Sequence, residues 1–350
     1  MKLTRRDVIA SLALGLQASA RAGSQILDPF ERASLLNPRA GQAVLLAICR
    51  AARRVVAVGE RGVVLLSDDD GKNWRQVKVP VSITLTAVQF IDAALGWAVG
   101  HAGVVLHTQD GGETWARQLD GVTAAQLALS VARGQPAQTD ELTNAQRLVA
   151  DGPDKPFLDV HFYDARRGFV AGAYGLIFGT EDGGVHWSSW ISRIDNTKGL
   201  HINAAAVRGD TLLLAGEQGQ LWLSLDAGEH FTRLTSPYGG SWFAAVVLPS
   251  GRFVLAGLKG NVFISDDQGH SFQRSTVSQQ VTVNTFLLLA GGPLLAFNQA
   301  GQALVSRNQG LSFQALSMPP GAPINSVVEL SDGALVGASQ RGPRQLHKLT

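Results

Sequence analysis

Ser67-Asp-Asp-Asp-Gly-Lys-Asn-Trp74 returns five times along the chain: Thr108-Gln-Asp-Gly-Gly-Glu-Thr-Trp115, Thr180-Glu-Asp-Gly-Gly-Val-His-Trp187, Ser224-Leu-Asp-Ala-Gly-Glu-His-Phe231, Ser265-Asp-Asp-Gln-Gly-His-Ser-Phe272 and Ser306-Arg-Asn-Gln-Gly-Leu-Ser-Phe313. Successive copies start 41, 72, 44, 41 and 41 residues apart, so this is a repeat protein with an insertion in the second interval. Asp69, Asp110, Asp182, Asp226 and Asp267 hold the third place and Asn308 takes it in the last copy, while the glycine is constant and the closing place is always Trp or Phe. This is turn chemistry. A side-chain oxygen accepts from backbone N–H groups two residues on, and glycine supplies the left-handed backbone angle. The six residues are therefore expected to be structural, neither catalytic nor calcium-binding.

Upstream of each octet, short apolar runs are punctuated by glycine. In the second repeat Leu85-Thr-Ala-Val-Gln-Phe-Ile91, Gly96-Trp-Ala-Val-Gly100, Gly103-Val-Val-Leu-His-Thr108 and Trp115-Ala-Arg-Gln-Leu119 read as four strands. Four strands in about 41 residues predict an all-β propeller blade. The six octets and a final set of three strands, Ile324-Asn-Ser-Val-Val-Glu-Leu330, Ala334-Leu-Val-Gly-Ala338 and Arg344-Gln-Leu-His-Lys-Leu349, predict seven blades rather than six. The last blade is one strand short, and an N-terminal strand near residues 25–36 is expected to close it, since closure removes exposed edges. The insertion, at about 120–152, reads as a helical hairpin between blades 2 and 3. Residues 122–133 form its first helix, stopped by Gly134 and Pro136; residues 140–150 form the second, stopped by Gly152-Pro153. It is either a cover for a propeller edge or a partner-docking element.

Composition narrows the function classes. The 350 residues include 39 glycines and only 17% charged side chains, unlike a coiled coil or a disordered chain. A net charge of +2 gives no broad phosphate-tracking surface, which argues against nucleic acid. Residues 1–22 read as an export signal peptide removed after Ala22: a basic start, a weakly apolar run through Leu14 and Leu16, and an Ala20-Arg21-Ala22 exit. Thr4-Arg5-Arg6 resembles a twin-arginine address, an ordinary Sec leader being the alternative. The run is too short and polar to span a membrane. The expectation is an exported, periplasmic monomer in which residues 23–350 form one propeller domain. Cys49 is the only cysteine, which excludes an internal disulfide, and none stands at the leader's exit for a lipid anchor. The eight histidines form no close metal-ligating group, and no helix follows a glycine turn to cradle a phosphate, so neither metal nor cofactor is expected.

The octets resemble the Asp-boxes of BNR repeats. Taken with Gly96-Trp-Ala-Val-Gly100, Gly168-Phe-Val-Ala-Gly172, the Gly-x-x-Gly between second and third strands and the exported leader, they make residues 40–350 similar to the photosystem II assembly and stability factor family of BNR propellers. The resemblance implies a non-enzymatic seven-bladed scaffold that binds a protein partner, the extended tail of a membrane-complex subunit, as an assembly or accessory factor. It also implies an arginine-rich patch. Here the cations are scattered, as Arg53, Arg54, Arg61, Arg166, Arg167, Arg193, Lys198, Lys259, Arg341 and Arg344, which points to a bacterial relative without a photosystem. In propeller topology the turns between second and third strands share a face with the blade-to-blade connections. Arg61, His101, Tyr174 and Lys259 lie on such turns and are the candidate partner-binding residues.

Asp-boxes also occur in sialidases and other glycosidases, so a carbohydrate-active hydrolase or a glycan-binding module is the competing reading. Glycosidases need a pair of carboxyl groups, or a tyrosine nucleophile, aimed at one sugar. The acids outside the octets include Glu60, Asp92, Asp159, Asp164, Asp195, Asp210, Glu217, Glu329 and Asp332, several of them in turns, and the Arg-Ile-Pro phrase of the sialidase arrangement is missing. Asp159 and His161 alternate on one side of an inner strand and read as strand-bonding residues. No catalytic residue is assigned.

Overall fold

The second strand of each repeat is buried almost end to end: Arg54–Gly59, Gly96–Gly100, Gly168–Gly172, Thr211–Gly216, Phe253–Gly257, Leu294–Asn298 and Leu335–Ser339. Continuous apolar runs need cover on both faces, and here the cover comes from the blade on either side. The computed structural model describes residues 30–134 and 139–346. Seven sheets follow one another in chain order as blades 1 to 7, at 45–77, 85–119, 157–189, 202–233, 242–274, 283–316 and 324–346, antiparallel except that Thr276–Val277 adds a parallel fifth strand to the sheet of blade 6. The leader, residues 23–29, Pro136 and His347 lie outside the described residues. Apolar clusters fill the blade junctions in place of one central core. Val56, Val58 and Leu66 of blade 1 meet Leu85, Val88 and Leu106 of blade 2, and Leu330, Val336 and Ala338 of blade 7 meet Leu45, Ile48 and Val55 of blade 1.

The octets are turns, with a longer reach than expected. Ser67 Oγ accepts from Gly71 N–H and donates to Asp69 Oδ1, and that carboxylate accepts from Asn73 N–H at 2.8 Å and Asn73 Nδ2 at 2.6 Å. Asp110, Asp182, Asp226, Asp267 and Asn308 repeat the bond to the N–H four residues on. The first-place hydroxyl causes the difference, because it holds the carboxylate across the loop. Bonds from the N–H groups of Asn73 and His186 and from the Ser271 hydroxyl hold Asp69, Asp182 and Asp267 down at about 2, and the His230 N–H takes Asp226 lower. Depressed carboxyls stabilise the fold above their unfolded value of about 3.9, and this contribution disappears only as pH falls through about 2.

Ring closure corrects the expected N-terminal strand. Among the described residues no strand precedes Leu45, and blade 7 keeps three strands. The arm at 30–37 crosses the edge of blade 1: Ser34 N–H donates to Val79 O and Val79 N–H to Ser34 Oγ, both at 2.9 Å, while Gln76 holds Leu35 O and Asn37 N–H. The reason is a contact repeated around the ring. The glycine ending each second-to-third-strand turn packs on the connection leaving its blade, Gly62 on Val81, Gly103 on Gly121 and Gly260 on Gln279. In blade 7 that glycine, Gly342, packs on Gly41 and donates to Ala43 O at 2.9 Å. The entering chain therefore stands in for a connection. Inner strands are tied in the same way at several junctions: Thr86 Oγ1 donates to Phe157 O at 2.6 Å and Asn203 Nδ2 to Trp242 O at 2.9 Å, and across the closure Asn325 Nδ2 donates to Leu45 O at 2.8 Å. Closure is one more blade junction.

Candidate functional site

The insertion forms helix α1, Gly121–Gly134, and helix α2, Thr139–Asp151. Asp120 Oδ1 accepts the Thr123 N–H at 2.9 Å, capping the first orphan donors of α1. The face of α1 carrying Ala124 and Ala128 joins Trp97, Phe157, Phe162, Leu176 and Phe178 in the junction between blades 2 and 3. Small side chains let the helix sit close against the sheets. The hairpin is thus rooted in the core and does more than cover an edge.

A cleft of about 480 Å³ opens between this hairpin and the connection from blade 3 to blade 4. Val131, Leu148, Leu176, Ile191 and Phe231 give it apolar walls; Asn144, Arg147, Asp195 and Lys198 supply polar groups. The connection is a stiff wall. Arg193 lies over the Trp190 ring at 4.4 Å, donates to Gly228 O at 2.8 Å and pairs with Glu229 at 3.4 Å, and Asn196 bridges the N–H and carbonyl of Leu200.

Tyr174 stands on the rim of the cleft. It is 54% exposed and takes φ 58°, a left-handed angle that is costly for a residue with a Cβ. Lys155 Nζ lies 5.4 Å from the centre of its ring and the His201 ring 4.9 Å away. Lys155 is buried, with its charge compensated by Asp154 at 2.7 Å and Asp151 at 3.7 Å. His201 Nδ1 sits 2.7 Å from Glu217 Oε2. The cleft thus combines apolar walls with a fixed aromatic at its rim and paired charges beside it.

Of the four candidates from the sequence, the structure brings Tyr174 alone to this cleft. Arg61 and Lys259 occupy the equivalent turn positions of blades 1 and 5, exposed and with φ 55° at each. His101 comes one place earlier in its turn, and Ala102 holds the left-handed position there. These three spread around the same rim. Lys155 and His201 have no sequence motif; only folding reveals them. Several of the scattered cations are committed elsewhere: Arg54 pairs with Asp68 and Glu113, Arg167 with Asp164, and Arg344 donates to Ala322 O.

The remaining acids are mostly held by the backbone. Asp92 caps the N–H groups of Ala94 and Leu95, Asp164 those of Arg166 and Arg167, and Asp332 that of Ala334. Glu60 and Glu217 accept from Val44 and His201 N–H, and Glu329 from Ala290 N–H. Asp159 bonds the N–H of Val160 and, across to blade 4, that of Ala205. Among the described residues no group of three or more His, Cys, Asp or Glu side chains is placed to hold a metal ion. Burial pushes the Cys49 thiol well above its usual range.

Burial also moves two groups of blade 3 in opposite directions, raising Asp159 to about 6 and lowering His161 to about 4. The folded Asp159 resists ionising, so its share of stability falls as pH rises from about 4 to 6; the folded His161 resists protonation, so its share falls as pH drops from about 6.5 to 4. The two slopes oppose each other. In Asp159→Asn, unfolding free energy is expected to rise by about 1–3 kcal/mol from pH 4 to 6.5, and in His161→Gln to fall over the same window. Denaturant titrations at four pH values check both signs; parallel slopes in the two variants would refute this assignment.

The family model described as photosynthesis system II assembly factor YCF48 matches residues 66–132 and 140–238. A curated relative, the photosystem II assembly lipoprotein Ycf48 of Synechococcus sp. (strain CC9902), is 34% identical over 77 residues, which are 22% of this chain and 23% of the relative. Among solved structures, YCF48 bound to a D1 peptide superposes with a TM-score of 0.66 at 15% identity over 93% of this chain and 98% of that one. YCF48 from Cyanidioschyzon merolae gives 0.63 at 14% identity over 90% and 98%. The WD40 propeller domain of Doa1 gives 0.62 at 15% identity over 91% and 95%. At such identities these structures establish the propeller fold alone.

Proposed function

Because residues 66–132 and 140–238 match the photosystem II assembly factor YCF48 family, we propose that the chain is a non-enzymatic scaffold that holds an extended segment of a membrane-complex subunit during assembly. The observation that carries this is the cleft of about 480 Å³ beside Tyr174, within the ~300–1,000 Å³ of ligand clefts and walled by two rigid elements. A relative's propeller has been solved with a D1 peptide bound, which supports a polypeptide as the ligand class. Loops fixed on a stiff scaffold recognise partners at low entropic cost, and tyrosine and arginine side chains dominate such contacts. Tyr174 is the anchor; Arg61, His101 and Lys259 contact the ligand further round the rim. The leader reading, with cleavage after Ala22 and export by the twin-arginine route, puts the propeller of residues 23–350 in the periplasm as a monomer. Among the described residues no helix is long and apolar enough to cross a membrane.

The test is affinity capture of the tagged full-length chain with mass spectrometry of bait and prey. One membrane-complex subunit is expected as prey, with a bait beginning at Gly23. Tyr174→Ala is expected to lower its recovery at least about tenfold with the melting temperature unchanged, and Arg61→Ala with Lys259→Ala to lower it less. Full recovery with Tyr174→Ala and loss with the rim pair would move the site out of the cleft. Clean bait without prey would sink the polypeptide reading. Deleting the hairpin is a poor probe, since Ala124 and Ala128 are part of the junction core.

A further inference from the structure

Leu35 and Leu36 are 76% and 63% exposed, although the segment that carries them is pinned by hydrogen bonds through Ser34, Leu35 and Asn37 to Val79 and Gln76. A frayed terminus would expose leucines without meaning; a segment bonded on both sides of the pair holds them outward in a fixed pose. The same pairing sets Lys78, between Gln76 and Val79, alongside them, and Arg32 and Arg39 flank them in sequence. Arg32, Arg39 and Lys78 are exposed, with Glu31 the one acid in the arm from 30 to 39. Adjacent exposed leucines, with exposed cations on either side in sequence and one on the segment paired with them, match a surface that is anionic outside and apolar beneath. We propose that this rim of blade 1 is a membrane-contact site for anionic phospholipid, in which Leu35 and Leu36 enter the interface and Arg32, Arg39 and Lys78 meet the phosphates.

A second copy of the chain is a poorer occupant, because a two-fold contact would set the cations of one patch against the same cations of the other. The site goes beyond the partner cleft and does not depend on it. That cleft lies at blades 3 and 4, so a bilayer contact at blade 1 leaves it open.

The experiment is cosedimentation of the full chain with vesicles of phosphatidylcholine alone and of phosphatidylcholine mixed with phosphatidylglycerol. Every variant carries the same residues ahead of Phe30, so differences between variants report the patch. Wild type is expected to bind the mixed vesicles more tightly, in a salt-sensitive way. Leu35→Ser with Leu36→Ser is expected to weaken that binding at least about tenfold, and Arg39→Glu with Lys78→Glu by about tenfold. Val185→Ser, at an exposed apolar residue of blade 3, is expected to stay within about twofold, the level of an ordinary surface change. Unchanged melting temperatures establish that the variants fold. The proposal is overturned if the serine pair binds like wild type, if the two vesicle types bind alike, or if the serine pair changes the oligomeric state or the recovered protein partner instead of vesicle binding.

Discussion

Replacing Gly172 by alanine is expected to remove about 2–4 kcal/mol of unfolding free energy. The backbone angle is not the obstacle, because φ −175° is open to any residue. Space is. A Cβ there would strike the Pro156 carbonyl oxygen and lie 2.6 Å from Phe157 Cα and 3.0 Å from Leu158 N. These are backbone atoms at the start of the inner strand of the same blade and just before it, and no rotamer change moves them. Asn298 and Ser339 hold the corresponding place in blades 6 and 7, where their side chains bond into the turn, Asn298 Oδ1 to the N–H groups of Ala300 and Gln302 and Ser339 Oγ to Gly342 O. Alanine cannot make those bonds. Because Gly172 comes two residues before Tyr174, the same substitution is expected to displace the cleft rim and lower partner recovery. Denaturant unfolding checks the first effect; a loss below about 0.5 kcal/mol, the level of an ordinary surface change, would show that the strand shifts freely.

Trp97→Ala is expected to cost about 3–5 kcal/mol. The ring is fully buried, stacked on Phe162 at 3.5 Å between centroids and on His107 at 4.8 Å, and its Nε1 donates to Gly183 O at 3.3 Å. It fills the junction on which α1 rests, so the cavity left behind also loosens the hairpin. Phe297→Ala, at the equally buried junction of blades 6 and 7, is expected to cost a comparable amount without that second effect. Hydrogen exchange of the α1 amides separates them, fast in Trp97→Ala and slow in Phe297→Ala. Equal protection in the two would show that the hairpin stands independently of the blade 2 and 3 core.

Much of the architecture was legible because its signals are local. An octet such as 67–74 contains both partners of its own hydrogen bonds, and a continuous run such as Gly168-Phe-Val-Ala-Gly172 reports burial on both faces without naming the neighbour. The hairpin helices carried their own stops in Gly134 and Gly152-Pro153. Ring closure is not legible in this way, because the contact that closes the ring joins Asn325 to Leu45 across the whole chain. A signal for that device was present as Thr86, Asn203, Asn284 and Asn325, each the second residue of an inner strand.

The site divides in the same way. Tyr174 was visible as the middle of a Gly-x-x-Gly turn, since the repeat supplies its position and its face. Its left-handed angle, the buried Lys155 beneath it and the His201 ring beside it were not, because they come from the end of the insertion, a turn of blade 3 and the entry to blade 4. Sequence alone determined the repeat, its turns, the seven blades and the inserted hairpin, all of which follow from hydrogen bonds and apolar periods within a few residues. Tertiary structure alone decided how the ring closes, where the hairpin is rooted and which rim residues share a cleft, because those contacts join groups that are distant along the chain and become neighbours only when the blades pack.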